Sequence, residues 1–208
     1  MKYIKKFESV VTDMNLHNMN LTELPELPDT LKTLRFGDNG IKKITILPNS
    51  LEYIFCNNNM LTELPELPKT LKEIACSYNK LTILPELPNE LKELYCAHNK
   101  LIDIPILPEN LKIFCCDDNN LSEMSILPKT LKQFSCSQNK LTKLPELPEG
   151  LLILYCYNND LSELPILPQS LISLSCSGNN LGYSNLDEYN EWLEINHPEV
   201  FNSRKFNI

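Results

Sequence analysis

Two consecutive stretches of twenty residues decide the fold: LTELPELPKTLKEIACSYNK at residues 61–80 and LTILPELPNELKELYCAHNK at residues 81–100. The same register continues without an insertion from Leu21 to Asn180, which gives eight units of twenty residues. Counted from the first residue of a unit, apolar residues recur at positions 1, 4, 7, 11, 14 and 16, Pro at positions 5 and 8, and Asn at position 19. We therefore expect six inward-facing apolar side chains in each unit.

The two halves of a unit predict different backbone structures. In the second half, inward Leu94 and Cys96 alternate with outward residues, which is the period of a half-buried strand. The outward residues are Glu93, Tyr95 and Ala97. In the first half, prolines fix φ and remove backbone donors, which favours an extended polyproline-like return over a helix. The sequence thus predicts a repeat solenoid, with a parallel β-sheet on the concave face and extended segments on the convex side.

The repeat pattern also carries a family resemblance. A twenty-residue unit with L-P-x-L-P-x-x-L followed by L-x-x-L-x-C-x-x-N-x-L has the leucine-rich repeat signature and resembles the short bacterial-type repeats of the YopM and IpaH secreted effectors. Cys at position 16 and an Asn, Lys and Ile-rich composition make it similar to giant-virus leucine-rich repeat proteins as well. The resemblance covers residues 21–180 and implies a leucine-rich repeat horseshoe. The ubiquitin-ligase domain of IpaH-type proteins has no counterpart in the 28 residues after the last repeat, so ligase activity is not implied.

Both ends of the chain depart from the repeat, as expected of segments that cap a solenoid. Near the C-terminus, residues 185–196 predict a capping helix with Asn185 as its N-cap. The apolar face of this helix carries Leu186, Tyr189 and Leu193. The sole tryptophan, Trp192, leaves open that the helix docks a partner instead.

These boundaries predict a single solenoid domain. The basic residues near the start are not followed by the apolar core and cleavage site of a signal peptide, so we expect none. The expected parts of the domain, residues 1–208, are an N-terminal cap and degenerate repeat at 1–20, eight repeats at 21–180 and a C-terminal cap at 181–208.

Charge and hydropathy exclude two classes of partner. A net charge of −8, from 27 acidic against 19 basic residues, opposes the phosphate backbone of nucleic acids. No basic cluster offsets that charge, so nucleic acid is not an expected partner. The longest apolar runs have six residues, whereas a membrane-spanning helix needs about 20. We therefore expect no membrane span.

Seven cysteines recur at position 16 and are expected to form one buried column. Equivalent atoms in stacked strands lie in a line about 4.8 Å apart, which fits neither a tetrahedral zinc site nor the Cβ separation of a disulfide. We therefore expect core thiols kept reduced inside a cell, cytoplasmic or in a host cell, with no metal and no cofactor. The column consists of Cys56, Cys76, Cys96, Cys116, Cys136, Cys156 and Cys176.

An asparagine at position 19 forms a second column, at the turn after each strand. Its amide has donors and an acceptor, so it can satisfy backbone groups in its own turn and in the next one. This predicts a structural role, because a ligand role would leave buried backbone groups unpaired. The column consists of Asn39, Asn59, Asn79, Asn99, Asn119, Asn139, Asn159 and Asn179.

The eighth cysteine, Cys115, stands at position 15 and is the one expected to be reachable. Asp117 and Asp118 should raise the pKa of this thiol. His98 is one strand over and three residues along, about 10 Å away, which is too far for a Cys–His dyad. The sequence also lacks a phosphate-binding loop and a metal-ligand cluster, so we expect no catalytic residue and no enzyme.

Positions 13, 15, 17 and 18 vary from unit to unit, as a recognition surface does, whereas Lys at position 12 and Glu at position 6 recur as solvated stripes. Large aromatic side chains on a rigid sheet desolvate a large area at low entropic cost. The alternative is that tyrosines cover a β surface they favour and pack across strands. The predicted partner-binding residues, all expected on the concave strand face, are Tyr53, Phe55, Tyr78, Tyr95, His98, Tyr155 and Tyr157.

The sequence therefore predicts a non-catalytic protein-interaction module, monomeric or weakly self-associating. The resemblance to effectors implies a host factor as the protein partner. Two alternatives stay open: a substrate-recognition subunit for a ubiquitin ligase on another chain, and a structural or virion protein that self-associates.

Overall fold

The computed structural model describes residues 11–205, and within them nine short strands form one parallel sheet. Neighbouring strands pair residues twenty positions apart, as Tyr53 pairs with Glu73, so every unit repeats the same register. The predicted repeat solenoid is confirmed. The strands are β1 (Asp13–Asn15), β2 (Thr33–Arg35), β3 (Tyr53–Phe55), β4 (Glu73–Ala75), β5 (Glu93–Tyr95), β6 (Ile113–Cys115), β7 (Gln133–Ser135), β8 (Ile153–Tyr155) and β9 (Ser173–Ser175).

The first ten positions of each unit contain neither helix nor strand in residues 21–180, all of which are described. This agrees with the predicted extended return. Each return ends in a tight turn, in which the N–H at position 11 donates to the carbonyl of Pro at position 8, as Leu91 donates to Pro88 at 3.0 Å. Proline suits this place because it lacks an N–H but keeps its carbonyl acceptor.

The core runs along the whole array between the sheet and the returns. In the unit that begins at Leu81, the residues Leu81, Leu91, Leu94 and Cys96 are completely buried. The predicted count of six inward side chains per unit is one too low, because Pro at position 8 is also buried in seven of the eight units. The tight turn folds the proline ring onto the core, so this residue both shapes the backbone and adds buried apolar surface.

The described part of the N-terminal segment contributes the first strand of the sheet. β1 pairs with β2, and Met14 and Leu16 pack against the core while remaining partly exposed. The part of the predicted N-terminal cap at residues 1–10 lies outside the described residues.

Two helices, α1 (Leu186–Asn196) and α2 (Pro198–Lys205), follow the last strand. The predicted N-cap is confirmed, because the side chain of Asn185 accepts a hydrogen bond from the N–H of Glu188 at 3.0 Å. The predicted apolar face is confirmed too, since Tyr189 and Leu193 are buried and α1 packs against β9.

Trp192 packs inward as part of this cap. Its ring centroid lies 5.2 Å from that of Tyr183 and 6.1 Å from that of Tyr189. This arrangement favours the capping interpretation over a docking helix. The second helix was not predicted, although a proline such as Pro198 at the first helical position is a recognised start signal.

Candidate interaction surface

The asparagine column is a hydrogen-bonded ladder, alternately buried and half-buried along most of its length, that fixes the turns behind the sheet. The Oδ1 of Asn119 accepts from the N–H of Leu101 at 2.9 Å. Its Nδ2 donates to the carbonyls of Cys96, Cys116 and Asp117 at 3.0–3.1 Å. We expected contacts to the next turn, but the amide reaches its own turn and the preceding one. The physical reason lies in two backbone groups of the preceding turn that have no partner in the strand ladder. For Asn119 they are the carbonyl of Cys96 and the N–H of Leu101.

A second polar ladder, formed by hydroxyl side chains at position 10, was not predicted from the sequence. The hydroxyl of Thr70 donates to the carbonyls of Asn49 and Leu51 at 2.9 and 2.7 Å. Thr30, Ser50, Thr130 and Ser170 donate in the same way to the preceding unit. The signal was present as Ser or Thr at this position in five of the eight units. In these five units the two ladders tie both ends of the return to the neighbouring unit, which favours a rigid sheet.

The seven position-16 cysteines are completely buried, and all eight cysteines are free thiols. Burial raises the pKa of Cys76 to about 12. Cys115 is partly exposed, as predicted, and its thiol donates to the carboxylate of Asp117 at 3.2 Å. Burial and then Asp117 raise the pKa of Cys115 to about 12, so this thiol is a poor nucleophile. Asp118 pairs instead with His98.

The described residues, 11–205, contain no group of three or more His, Cys, Asp or Glu side chains that could hold a metal ion. None of the helices in the same range is long and apolar enough to span a bilayer.

The concave face, which we define by positions 13 and 15 of the strands, carries two rows of side chains. At position 13, Tyr53 is followed by Glu73 and Glu93 on successive strands. At position 15, Phe55 and Tyr95 flank Ala75, which is only 5% exposed because its larger neighbours cover it. Apart from Ala75, the side chains at these positions of β3, β4 and β5 form one continuous patch of five residues, which we call the acidic–aromatic patch. Its members are Tyr53, Phe55, Glu73, Glu93 and Tyr95.

Carboxylate and tyrosine side chains interact directly within this patch. The hydroxyl of Tyr95 donates to Oε2 of Glu93 at 2.8 Å. Burial, and then Glu93, raise the pKa of Tyr95 well above its ordinary value. Burial also raises the pKa of Glu73, followed by the neighbouring carboxylate of Glu93, while Arg35 opposes the rise. The two glutamates therefore repel each other across adjacent strands in a partly desolvated setting.

Three of the predicted binding residues lie outside the strands, which corrects our expectation. The strands end at position 15, so Tyr78, His98 and Tyr157 sit in the following turn. Position 17 is also not a freely exposed strand position, since Ala97 is only 7% exposed. The reason is that position 18 adopts positive φ in every unit, 57° at Tyr78 and 53° at His98, which turns the chain away from the sheet.

A sequence signal for this turn existed. Five of the other six position-18 residues are Asp, Asn or Gly, the types that tolerate the left-handed conformation, and the sixth is Gln. Tyr78 and His98 are exceptions, and their rings stack at a centroid distance of 4.0 Å and an interplanar angle of 16°. His98 Nδ1 lies 2.7 Å from Oδ2 of Asp118. Tyr78 is 53% exposed, so this stacked pair adds an aromatic rim beside the acidic–aromatic patch.

Tyr155 and Tyr157 form a separate group in the seventh unit. Tyr155 is three strands away from Tyr95, or roughly 14 Å at the usual strand spacing. Its hydroxyl lies 3.4 Å from that of Ser173. The predicted binding residues therefore divide into a five-residue group around β3–β5 and a pair at β8 and its turn.

The convex side carries exposed isoleucines that the sequence analysis did not single out. They occupy position 6 in the four units that lack the recurrent Glu there. Their side chains are 74–90% exposed. The four residues are Ile46, Ile106, Ile126 and Ile166.

Comparison with known proteins agrees with this architecture. No protein-family model matches the sequence, and none of the curated proteins does. Among solved structures, YopM from Yersinia enterocolitica WA-314 is 31% identical with a TM-score of 0.55, over 76% of this chain and 44% of YopM. The leucine-rich repeat domain of a Shigella effector is 30% identical with a TM-score of 0.60, over 81% of this chain and 70% of that domain.

A third solved structure is also similar to this chain. The functional domain of InlJ from Listeria monocytogenes, described as including a cysteine ladder, is 25% identical with a TM-score of 0.61, over 80% of this chain and 44% of that one. The chain spans less than half of YopM and InlJ but more than two thirds of the Shigella domain. On this evidence the chain belongs to the bacterial-type leucine-rich repeat proteins.

Proposed function

We propose that this protein is a non-catalytic interaction module that binds a protein partner on its concave face. The observation that carries the proposal is a cluster of large aromatic side chains on a rigid parallel sheet, formed by Tyr53, Phe55 and Tyr95 beside the Tyr78–His98 stack. Because the two hydrogen-bonded ladders hold the backbone, the positions that carry these rings are ordered before binding, which lowers the entropic cost of binding.

Both the partner class and the compartment are part of the proposal. The Shigella neighbour is by its title an effector domain, which favours a host protein as the partner here. Seven buried thiols in one column favour a reducing compartment. The raised pKa of Cys115 and its bond to Asp117 support the absence of nucleophilic catalysis.

The test is quantitative co-purification from a host-cell lysate with three forms of the chain. They are the native protein, a concave variant with Tyr53→Ala, Tyr78→Ala and Tyr95→Ala, and a matched convex variant with Ile46→Ala, Ile106→Ala and Ile126→Ala. Circular dichroism and thermal unfolding first establish that both variants are folded. We expect a protein that the native and convex forms enrich and the concave form does not.

The same experiment separates the rival interpretations. Equal enrichment by all three forms, or none by any, contradicts concave-face binding. A ubiquitin-conjugating activity among the proteins retained by the native form would identify the chain as the substrate-recognition subunit of a ligase.

Self-association is a second candidate, and the exposed isoleucines favour it. Ile106 and Ile126 lie at the same position of adjacent units and are 90% and 87% exposed, which places two large aliphatic side chains next to each other on the convex side. If the convex side joins two copies, the mass measured by light scattering should rise with concentration and stay monomeric in an Ile106→Glu, Ile126→Glu variant. A native mass that is constant with concentration rejects this candidate.

A further inference from the structure

The concave face and the turns that follow its strands carry negative charge and almost no positive charge. From the third unit to the eighth, positions 13, 15, 17 and 18 contain four carboxylates and no Lys or Arg. The lysines of position 12 lie at the start of the strands, and Lys72 binds Glu52 at 2.6 Å rather than the adjacent Glu73. The positive charge that lowers the pKa of Glu73 is that of Arg35, which lies two strands away.

Two of the four carboxylates already have partners within the chain. Asp117 accepts hydrogen bonds from the hydroxyl of Ser135 and from the N–H of Ser137, each at 2.6 Å. Asp118 pairs with His98. By contrast, neither Glu73 nor Glu93 has an ion-pair partner in the described part of the chain, and Glu93 accepts only the hydroxyl of Tyr95.

The first units of the array show what such a combination binds. The guanidinium carbon of Arg35 lies 5.2 Å from the ring centroid of Phe55, and its NH1 binds Oδ2 of Asp13 at 2.7 Å. Here one cation contacts an aromatic ring and a carboxylate at the same time. Two strands further on, Tyr95 and the Glu73–Glu93 pair offer the ring and the carboxylates without the cation.

Resting on the proposed function, we propose that the acidic–aromatic patch binds an Arg or Lys side chain of an extended basic segment in the protein partner. The cation would lie between the carboxylates of Glu73 and Glu93 and contact the rings of Tyr53 and Tyr95. Its arrival removes the repulsion between two like charges on adjacent strands, which favours the bound state. The net charge of −8 attracts the segment over longer distances and speeds the encounter.

The first test uses a fluorescein-labelled peptide of alternating Gly and Arg, with a Gly and citrulline peptide as its neutral counterpart, in fluorescence anisotropy. The glutamine variant of the concave face is Glu73→Gln with Glu93→Gln. The matched control is Glu26→Gln with Glu146→Gln, which removes the same charge from exposed convex positions. We expect the concave pair to weaken binding at least about tenfold and the convex pair less than about twofold.

The second test examines the ring. Tyr95→Phe keeps the ring and loses the hydroxyl bond to Glu93, whereas Tyr95→Leu removes the ring. We expect Tyr95→Leu to weaken binding of the Arg peptide about three- to fivefold and Tyr95→Phe to weaken it less. Equal losses in the two variants would contradict a role for the ring face.

Several outcomes overturn the proposal. Equal weakening by the concave and convex glutamine pairs would mean that the peptide senses only net charge, and absence of binding to the native chain would reject the site. The proposed function fails separately, through the tyrosine variant in co-purification. A captured partner that needs Tyr53, Tyr78 and Tyr95 but tolerates Glu73→Gln with Glu93→Gln leaves concave binding intact and rejects the basic segment.

Discussion

At the scale of single residues, the asparagine ladder should matter more for stability than any exposed polar side chain. In Asn119→Ala, the buried N–H of Leu101 loses its partner, and the carbonyls of Cys96 and Cys116 each lose one of the two amide donors that they have. We expect a loss of about 3 kcal/mol in the free energy of unfolding, measured by urea denaturation.

The neighbouring Asn120 provides the matched control. It is exposed, and its side chain accepts only from Lys140 at 3.1 Å. We expect Asn120→Ala to change the free energy of unfolding by less than about 0.5 kcal/mol. Similar losses in the two variants would mean that the ladder bonds of Asn119 stabilise the fold no more than the exposed contact of Asn120 with Lys140 does.

Tyr78 separates a binding role from a packing role, because its backbone is unfavourable for a tyrosine. A non-glycine residue at positive φ costs on the order of 1 kcal/mol, and Asn bears that cost best, as Asn58 and Asn158 do at the same position. We expect Tyr78→Asn to leave the thermal midpoint unchanged or raise it, while partner capture falls. A clear drop in stability would show that the stack on His98 serves folding instead.

Thiol reactivity tests the environment of the cysteines. At pH 8 a thiol with a pKa of about 12 is deprotonated in only about one molecule in ten thousand, so Cys115 should react slowly with iodoacetamide. Because its pKa is raised, the rate should keep increasing about tenfold per pH unit beyond pH 9, where an ordinary thiol levels off.

Counting the modified sites by mass spectrometry gives the second readout. We expect at most one modified cysteine, Cys115, in the native protein and all eight after denaturation. Fast modification of several cysteines in the native protein would contradict the buried column.

Some features of single residues could be predicted from the sequence and others could not. The Cys and Asn columns follow from strict recurrence, so the burial of the cysteines and the structural hydrogen bonds of the asparagines were predictable. The positive-φ turn at position 18 was not predicted. The alternation of Leu94 and Cys96 makes the strand look longer than it is, and the turn is visible in the sequence only as a preference for Asp, Asn and Gly at that position. Tyr78 and His98 break that preference, and the site residues there were consequently placed on the wrong element.

At the scale of elements, α1 caps the C-terminal end of the repeat array. Leu193 is 3% exposed and packs in the hydrophobic core, so Leu193→Ala should lower the free energy of unfolding by about 2–4 kcal/mol. The loss should be local, because each unit of a solenoid contacts only its neighbours. We expect amide hydrogen exchange to accelerate around β9 well before it does around β5.

The exposed Glu191 on the same helix supplies the control, and Glu191→Ala should leave exchange at β9 unchanged. Uniform acceleration across all strands in Leu193→Ala would contradict a capping role. That α1 begins after Asn185 was predictable from its cap, whereas α2 was not, since a short helix starting at Pro198 has too little apolar periodicity to recognise.

At the scale of the whole molecule, one repeating scaffold presents two different surfaces. The solenoid was predictable because eight units repeat without an insertion. The concave carboxylates and rings, and the convex isoleucines, are variations on that repeat, and a sequence shows such variations without showing which of them are exposed together. The structure adds the register that brings Tyr53, Glu73, Glu93 and Tyr95 into one patch.

The most direct test of concave-face binding is hydroxyl-radical footprinting of the chain, free and in complex with the protein that it enriches. If the concave face is the binding surface, oxidation of Tyr53, Tyr78 and Tyr95 should fall in the complex, while Ile106 and Ile126 stay as reactive as in the free chain. Protection of the two isoleucines with unchanged tyrosines would contradict the account and move the binding site to the convex side.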